Sequence, residues 1–157
     1  MCYSAQAWQD YRKYKRETEA EIGIQEYVRL FWDWKSGAST VRLPKAMIDA
    51  FADATSGDEG KIRQWIEAWK IEQTAKLEQA LFAQKKRLAT AERTLKARVT
   101  KKAQYDQRIA TSKIEQAKLK LADLQRTESR PRDARFFPGN YAAVMVAEAG
   151  KRIYMLE

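Results

Sequence analysis

A stretch of 68 residues without glycine or proline, from Lys61 to Glu128, constrains the fold more than any other feature of the sequence. It consists largely of Ala, Leu, Lys, Glu, Gln and Arg, the residues with the highest helix propensity. Apolar residues recur at helical spacing along each half, as Ile62, Ile66, Trp69, Leu77, Leu81, Leu88, Ala91 and Leu95, then as Ala110, Ile114, Ala117, Leu121 and Leu124. The sequence therefore predicts helix through almost the whole stretch.

The apolar pattern weakens at Val99-Thr100-Lys101-Lys102, where two β-branched residues and two adjacent lysines interrupt the apolar face of the helix. We therefore expect a turn near residues 98–102 and an antiparallel helical hairpin. The alternative is one continuous helix about 100 Å long, which would need a partner to cover its apolar stripe.

Residues 6–35 show two helical patterns separated by Gly23, one carrying Trp8, Tyr11 and Tyr14 and the other Tyr27, Phe31 and Trp34. Residues 34–40 are expected to form a loop. Pro44 is expected to be the first residue of a helix over about 44–53, and residues 56–60 end the N-terminal section of the chain. At helical spacing, aromatic side chains more often form a core. The alternative function, stacking on unpaired bases, concerns Trp8, Tyr11, Phe31 and Trp34.

After Glu128 the composition favours extended and turn structure, at residues 130–133 and 136–140. Two strands are expected at 141–147 and 151–156, joined through Gly150. Alternation along them should place Val144, Val146 and Ile153 on one apolar surface. The expected fold class is α+β, predominantly α: short N-terminal helices (1–56), the long antiparallel helical hairpin (57–128) and a C-terminal β-hairpin (129–157), in one domain.

Thirty Lys and Arg residues against 21 Asp and Glu give a net charge of +9, which favours polyanionic partners, nucleic acid first. Residues 57–128 hold 17 of the basic groups and ten of the acidic ones. Candidate DNA-binding residues in the densest basic runs are Lys85, Lys86, Arg87, Arg98, Lys101 and Lys102, with Lys96 beside them. Such runs more often keep an exposed helix solvated, so phosphate binding is the less frequent of two interpretations.

Several classes of function are excluded or disfavoured. No apolar run reaches about 18 residues, and the N-terminus lacks a secretory signal pattern, so we expect a cytoplasmic protein with no membrane partner. One cysteine allows no internal disulfide, and the lack of histidine excludes a zinc site or a histidine relay. No cofactor and no metal site are expected.

Cys2 is the candidate nucleophile. Removal of Met1 would leave it with both a free α-amine and a thiol, whose reference pKa values of about 7.7–8.0 and 8.5 keep reactive fractions of each near neutral pH. The aldehyde of a ring-opened abasic deoxyribose can form a Schiff base with the amine, and the thiolate can close a thiazolidine ring. A lone cysteine is, however, more often a small buried apolar residue.

The opening Met1-Cys2-Tyr3-Ser4-Ala5 resembles the start of one branch of the SOS response-associated peptidase (SRAP) family. The segment from Arg135-Phe136-Phe137-Pro138-Gly139-Asn140 to Val146, followed by Gly150-Lys151-Arg152, resembles the family's "FPG" strand and "G-x-R" turn. Residues 61–128 are similar to the long helical insertion of that branch. The resemblance implies a partial SRAP domain over 1–157, about the first half of a family member.

The resemblance further implies a protein that forms a covalent crosslink to abasic sites in single-stranded DNA, with thiol autopeptidase activity that unmasks the cysteine. Only Cys2 matches the family's catalytic residues, because the asparagine, glutamate and histidine lie in later segments. Ala143 stands at a usual proline position, and Ser4 replaces an arginine found in better-known members.

Two further functions remain open from the sequence. One is a non-enzymatic coiled-coil interaction module, which includes a homo-oligomer formed through the hairpin. The other is a non-covalent, basic nucleic-acid binder, whose binding should weaken steeply as the salt concentration rises.

Overall fold

The computed structural model describes residues 5–6, 24–38, 42–136, 143–148 and 151–156, most of the strand residues by their backbone alone. The described chain is predominantly helical, as predicted. Its helices are α1 (Ile24–Ser36), α2 (Lys45–Asp49), α3 (Gly57–Ala97) and α4 (Lys101–Gln125). Its strands are β1 (Ala5–Gln6), β2 (Arg135–Phe136), β3 (Ala143–Glu148) and β4 (Lys151–Leu156).

The chain divides into two compact units, one of residues 1–68 with 128–157 and the other of residues 69–127. The first unit has a hydrophobic core built from α1, α2 and the first turns of α3. Its buried members are Tyr27, Leu30, Phe31, Met47, Ile48, Phe51, Ile62 and Ile66. The core interpretation of the α1 aromatics is therefore confirmed for Phe31, which is fully buried, while Trp34 packs against the core from its edge.

Hydrogen bonds tie the start of α3 to the rest of this first unit. The Gln25 side chain donates to Asp58 over 2.7 Å, and Arg63 donates to the Ala54 carbonyl over 3.1 Å. Gly57 has a φ of 66°, a left-handed conformation that glycine adopts at little cost. It lets the chain turn sharply into α3.

The second unit is the predicted helical hairpin. Arg87 of α3 donates to the Asp106 carboxylate of α4 over 3.1 Å. In a continuous helix these residues would lie about 28 Å apart, so the chain must reverse between them. The reversal is made by residues 98–100, which confirms the expected turn near 98–102. Small side chains are buried in this unit and allow close helix packing, with Ala91 on α3 and Ala103, Ala110 and Ala117 on α4.

The Thr100 side chain accepts a hydrogen bond from the Ala103 backbone N–H over 3.2 Å and so caps the N-terminus of α4. A threonine at this position satisfies one of the amide groups that the first turn of a helix leaves free. The same β-branched residue that weakens the helical pattern in the sequence therefore starts the second helix of the hairpin.

Several boundaries differ from the sequence-based expectations. Helix α1 continues through Trp34, Lys35 and Ser36, where the sequence predicts a loop. Trp34 packs against the core, and the Ser36 hydroxyl donates to the Asp33 carbonyl over 3.1 Å. Pro44 is the N-cap of α2 and not its first residue, and α2 ends at Asp49 rather than near residue 53. Helix α3 begins at Gly57, inside the segment 56–60 that was expected to precede the helix.

The strands form two antiparallel pairs. Strand β3 pairs with β4 in a register that sets Val146 opposite Ile153 and Val144 opposite Met155. This register puts positions 144, 146 and 153 on one face of the hairpin. The apolar surface expected of their side chains stays a prediction, because the structure describes these strands by their backbone. The second pair joins β1 to β2.

None of the described helices has the length and apolar composition needed to cross a membrane.

Candidate functional site

Cys2 lies outside the described residues, as do Trp8, Tyr11 and Tyr14 of the first predicted helix. The described residues that follow Cys2 most closely are Ala5 and Gln6 of β1. The helical pattern that starts at residue 6 predicts a helix there, but Gln6 lies in a strand pair. A two-residue strand has no periodicity from which the sequence could predict it.

Strand β1 pairs antiparallel with β2, with Ala5 opposite Phe136 and Gln6 opposite Arg135. These two strands belong to the two segments on which the SRAP resemblance rests, the N-terminal opening and the segment that starts at Arg135. Two residues separate Cys2 from Ala5 in the sequence, and the three residue-to-residue steps span at most about 11 Å in any fully extended chain.

The approach to β2 is held by a 3₁₀ turn at Pro131–Ala134, where the sequence had suggested only extended or turn structure. The Arg130 backbone N–H donates to the Asp133 carboxylate over 2.8 Å, and the Asp133 N–H donates to the Arg130 carbonyl over 2.9 Å. Among the described residues, Asp133 has a charged side chain that is buried. This turn packs against α2, so β2 is anchored to the first unit.

The second candidate region is the end of the helical hairpin near its turn. Residues 85–108 hold nine Lys and Arg against two Asp and Glu, a local net charge of +7 within a chain of net charge +9. All these residues are described, and one of the two carboxylates, that of Asp106, is paired with Arg87. The positive charge of the protein is therefore concentrated at this end of the hairpin.

The structure separates the predicted DNA-binding residues into groups. Arg98, Lys101 and Lys102 lie together at the turn and are exposed. Lys85 and Lys86 are exposed on α3, at least about 16 Å along the helix from its end at Ala97. Arg87 is half-buried and donates through Nε to Asp106, so its guanidinium holds the two helices together.

Two residues near the turn were missed in the sequence. Arg108 lies over the ring of Tyr105, 5.5 Å from its centroid, and the Tyr105 side chain remains 55 % exposed. Tyr105 follows Lys101 by four residues and Arg108 follows Tyr105 by three, a spacing that would have indicated a shared helix face. Among the described residues, no group of three or more acidic, cysteine or histidine side chains is arranged to hold a metal ion.

Comparison with protein-family models, with curated proteins and with solved structures gave no match.

Proposed function

We propose that this protein captures abasic sites in single-stranded DNA through Cys2. The observation that carries the proposal is the pairing of β1 with β2, which joins the segment after Cys2 to the segment beginning at Arg135. These two segments are far apart in sequence, and both are similar to SRAP segments. A strand pair between them is the arrangement expected if they form one site.

The proposed reaction is a condensation without an external oxidant or reductant. After Met1 is removed, the α-amine of Cys2 attacks the aldehyde of the ring-opened sugar and expels one water to give an imine. The thiolate then adds to the imine carbon, the nitrogen takes up a proton, and a five-membered thiazolidine ring results. The thiol autopeptidase activity implied by the SRAP resemblance belongs to the same proposal, because it would expose this amine.

A denaturing gel tests the proposal. Mature protein mixed with single-stranded DNA that carries one abasic site should give a species that survives boiling in detergent, while intact DNA should give none. Cys2→Ser keeps the amine but replaces the thiolate with a poor nucleophile, so its adduct should appear only after borohydride reduction. A tag before Met1 that stays attached, as an intact-mass measurement verifies, should abolish the adduct. The proposal is wrong if wild type and Cys2→Ser behave alike.

A second candidate function is a helical interaction module with a basic surface. It is favoured by large apolar side chains that remain exposed in the hairpin unit, namely Ile71, Phe82 and Leu119, each at least 70 % exposed. Exposed apolar side chains mark a protein contact where they share a surface, and Ile71 and Phe82, eleven residues apart, lie on one face of α3. The oligomeric state, measured by sedimentation at increasing protein concentration, tests this candidate. Self-association that Phe82→Ser abolishes would support it. A monomer at all concentrations would exclude a homo-oligomer formed through this surface.

A further inference from the structure

The outward face of α4 next to the turn combines positive charge with an exposed aromatic ring. Lys101, Tyr105 and Arg108 recur at intervals of four and three residues, which places them on one face of the helix. Ala103, Ala110 and Ala117 are buried on the opposite face. Arg98 in the turn and Lys102 beside Lys101 extend the positive charge. We call these five residues, Arg98, Lys101, Lys102, Tyr105 and Arg108, the tip surface.

The cations of the tip surface have no acidic partner among the described residues. All four are exposed, and none takes part in an ion pair of the described chain. Asp106, the acidic residue in the same turns of α4, is engaged by Arg87. Four uncompensated cations side by side repel one another, and an approaching polyanion would relieve that repulsion.

Tyr105 adds an exposed aromatic ring, which is not needed to keep the helix solvated. Arg108 covers one side of its ring at 5.5 Å, while more than half of the side chain stays exposed. A tyrosine among cations is the combination that binds unpaired bases, since the ring stacks on a base and the cations contact the adjoining phosphates. A cluster that served only to solvate the helix would gain nothing from this exposed ring.

The geometry points to the tip surface as a non-covalent binding site for single-stranded nucleic acid. This site is separate from the proposed function of Cys2, because it requires neither the thiol nor an abasic sugar. Its phosphate contacts come from Arg98, Lys101, Lys102 and Arg108, and Tyr105 stacks on one base. A membrane surface fits less well, because Val99, 70 % exposed in the turn, is a small aliphatic side chain to insert into lipid beside four cations.

Fluorescence anisotropy with a labelled thymidine oligonucleotide tests the site, with Cys2→Ser as the background in every sample. Tyr105→Leu should weaken binding about tenfold and leave the salt dependence unchanged, because stacking releases no counterions. The double variant Lys101→Ala/Arg108→Ala should reduce the slope of log affinity against log salt by about 1.4, the value for two phosphate contacts on a single strand.

The matched control is Lys85→Ala/Lys86→Ala, which removes the same charge from exposed positions on α3. It should retain most of the affinity and most of the salt slope. Equal losses in the two double variants would show that binding follows net charge alone, and the inference would then be wrong. It would also be overturned if Tyr105→Leu binds like its parent, or if anionic phosphatidylserine vesicles bind the tip surface while the oligonucleotide does not.

Discussion

Phe31 and Phe82 show how position decides what one type of side chain contributes. Phe31 is fully buried and has edge-on ring contacts with Phe51 at 5.3 Å and with Trp34 at 5.8 Å. Phe82 leaves 73 % of its surface exposed on α3. Both are phenylalanines in helices, but only Phe31 is part of a core.

We predict that Phe31→Ala lowers the free energy of unfolding by roughly 3–5 kcal/mol, because it removes buried apolar area and leaves a cavity. Phe82→Ala is the matched control and should change stability by no more than about 0.5 kcal/mol, as exposed substitutions usually do. Urea denaturation followed by tryptophan fluorescence measures both. Similar losses in the two variants would contradict the assignment of the core.

Asp58 makes stability depend on pH. Hydrogen bonds from Lys61 and Gln25 to its carboxylate, together with the charge of Lys61, hold the pKa of Asp58 below its ordinary value of 3.8. A carboxyl whose pKa is lower in the folded state stabilises the fold above its unfolded pKa, and this contribution is lost as the pH falls through the folded pKa.

We therefore predict that Asp58→Asn lowers the thermal midpoint near neutral pH, and that its difference from wild type shrinks as the pH falls below about 4. Lys61→Met removes the largest cause of the pKa shift, so it should reproduce part of this effect. Thermal denaturation by circular dichroism over a range of pH values tests the prediction. A difference between Asp58→Asn and wild type that does not change with pH would contradict it.

At the scale of elements, the helical hairpin was predictable and the short strands were not. Helix propensity and apolar spacing over residues 61–128 predicted both long helices, and the interruption at Val99-Thr100 predicted the turn. The pairing of β1 with β2 had no signal in the sequence, because each strand has two residues and their contact joins distant parts of the chain. The sequence predicted only part of the tip surface. Its lysines form a run that is visible in the sequence, whereas Tyr105 and Arg108 are separated from that run.

Thr100 is expected to contribute to the stability of α4 through its cap. Thr100→Ala removes the acceptor for the Ala103 N–H and should cost about 1 kcal/mol of unfolding free energy. Thr100→Ser keeps a hydroxyl in the same place and should stay close to wild type. Urea denaturation of both variants checks this expectation, and equal losses would show that the methyl group of the threonine matters rather than the cap.

At Gln84 we expect a substitution to raise the stability of the protein. The Gln84 Oε1 atom is buried and has no hydrogen-bond partner among the described residues. Gln84→Leu removes this unsatisfied acceptor at similar size and helix propensity, so the free energy of unfolding should rise by about 1 kcal/mol. Gln79→Leu, at an exposed position of the same helix, should leave it nearly unchanged. A loss of stability in Gln84→Leu would indicate that the amide has a partner.

At the scale of the whole molecule, the two units carry different kinds of evidence for function. The unit of residues 1–68 and 128–157 contains the strand pair of β1 and β2, on which the proposal for Cys2 rests. The unit of residues 69–127 carries most of the net positive charge, at the end of the hairpin. We therefore expect that the proposed non-covalent binding and the proposed covalent capture can each be lost without the other.

The most direct test of covalent capture is the mass and the position of the crosslink. Intact-mass measurement of the purified adduct should give the protein without Met1 plus the DNA strand, less one water, because imine formation releases water and ring closure releases nothing. Proteolysis and fragmentation should place the DNA on the N-terminal residue, Cys2, without prior reduction. A crosslink that maps to a lysine, or one that forms only after borohydride treatment, would contradict the account.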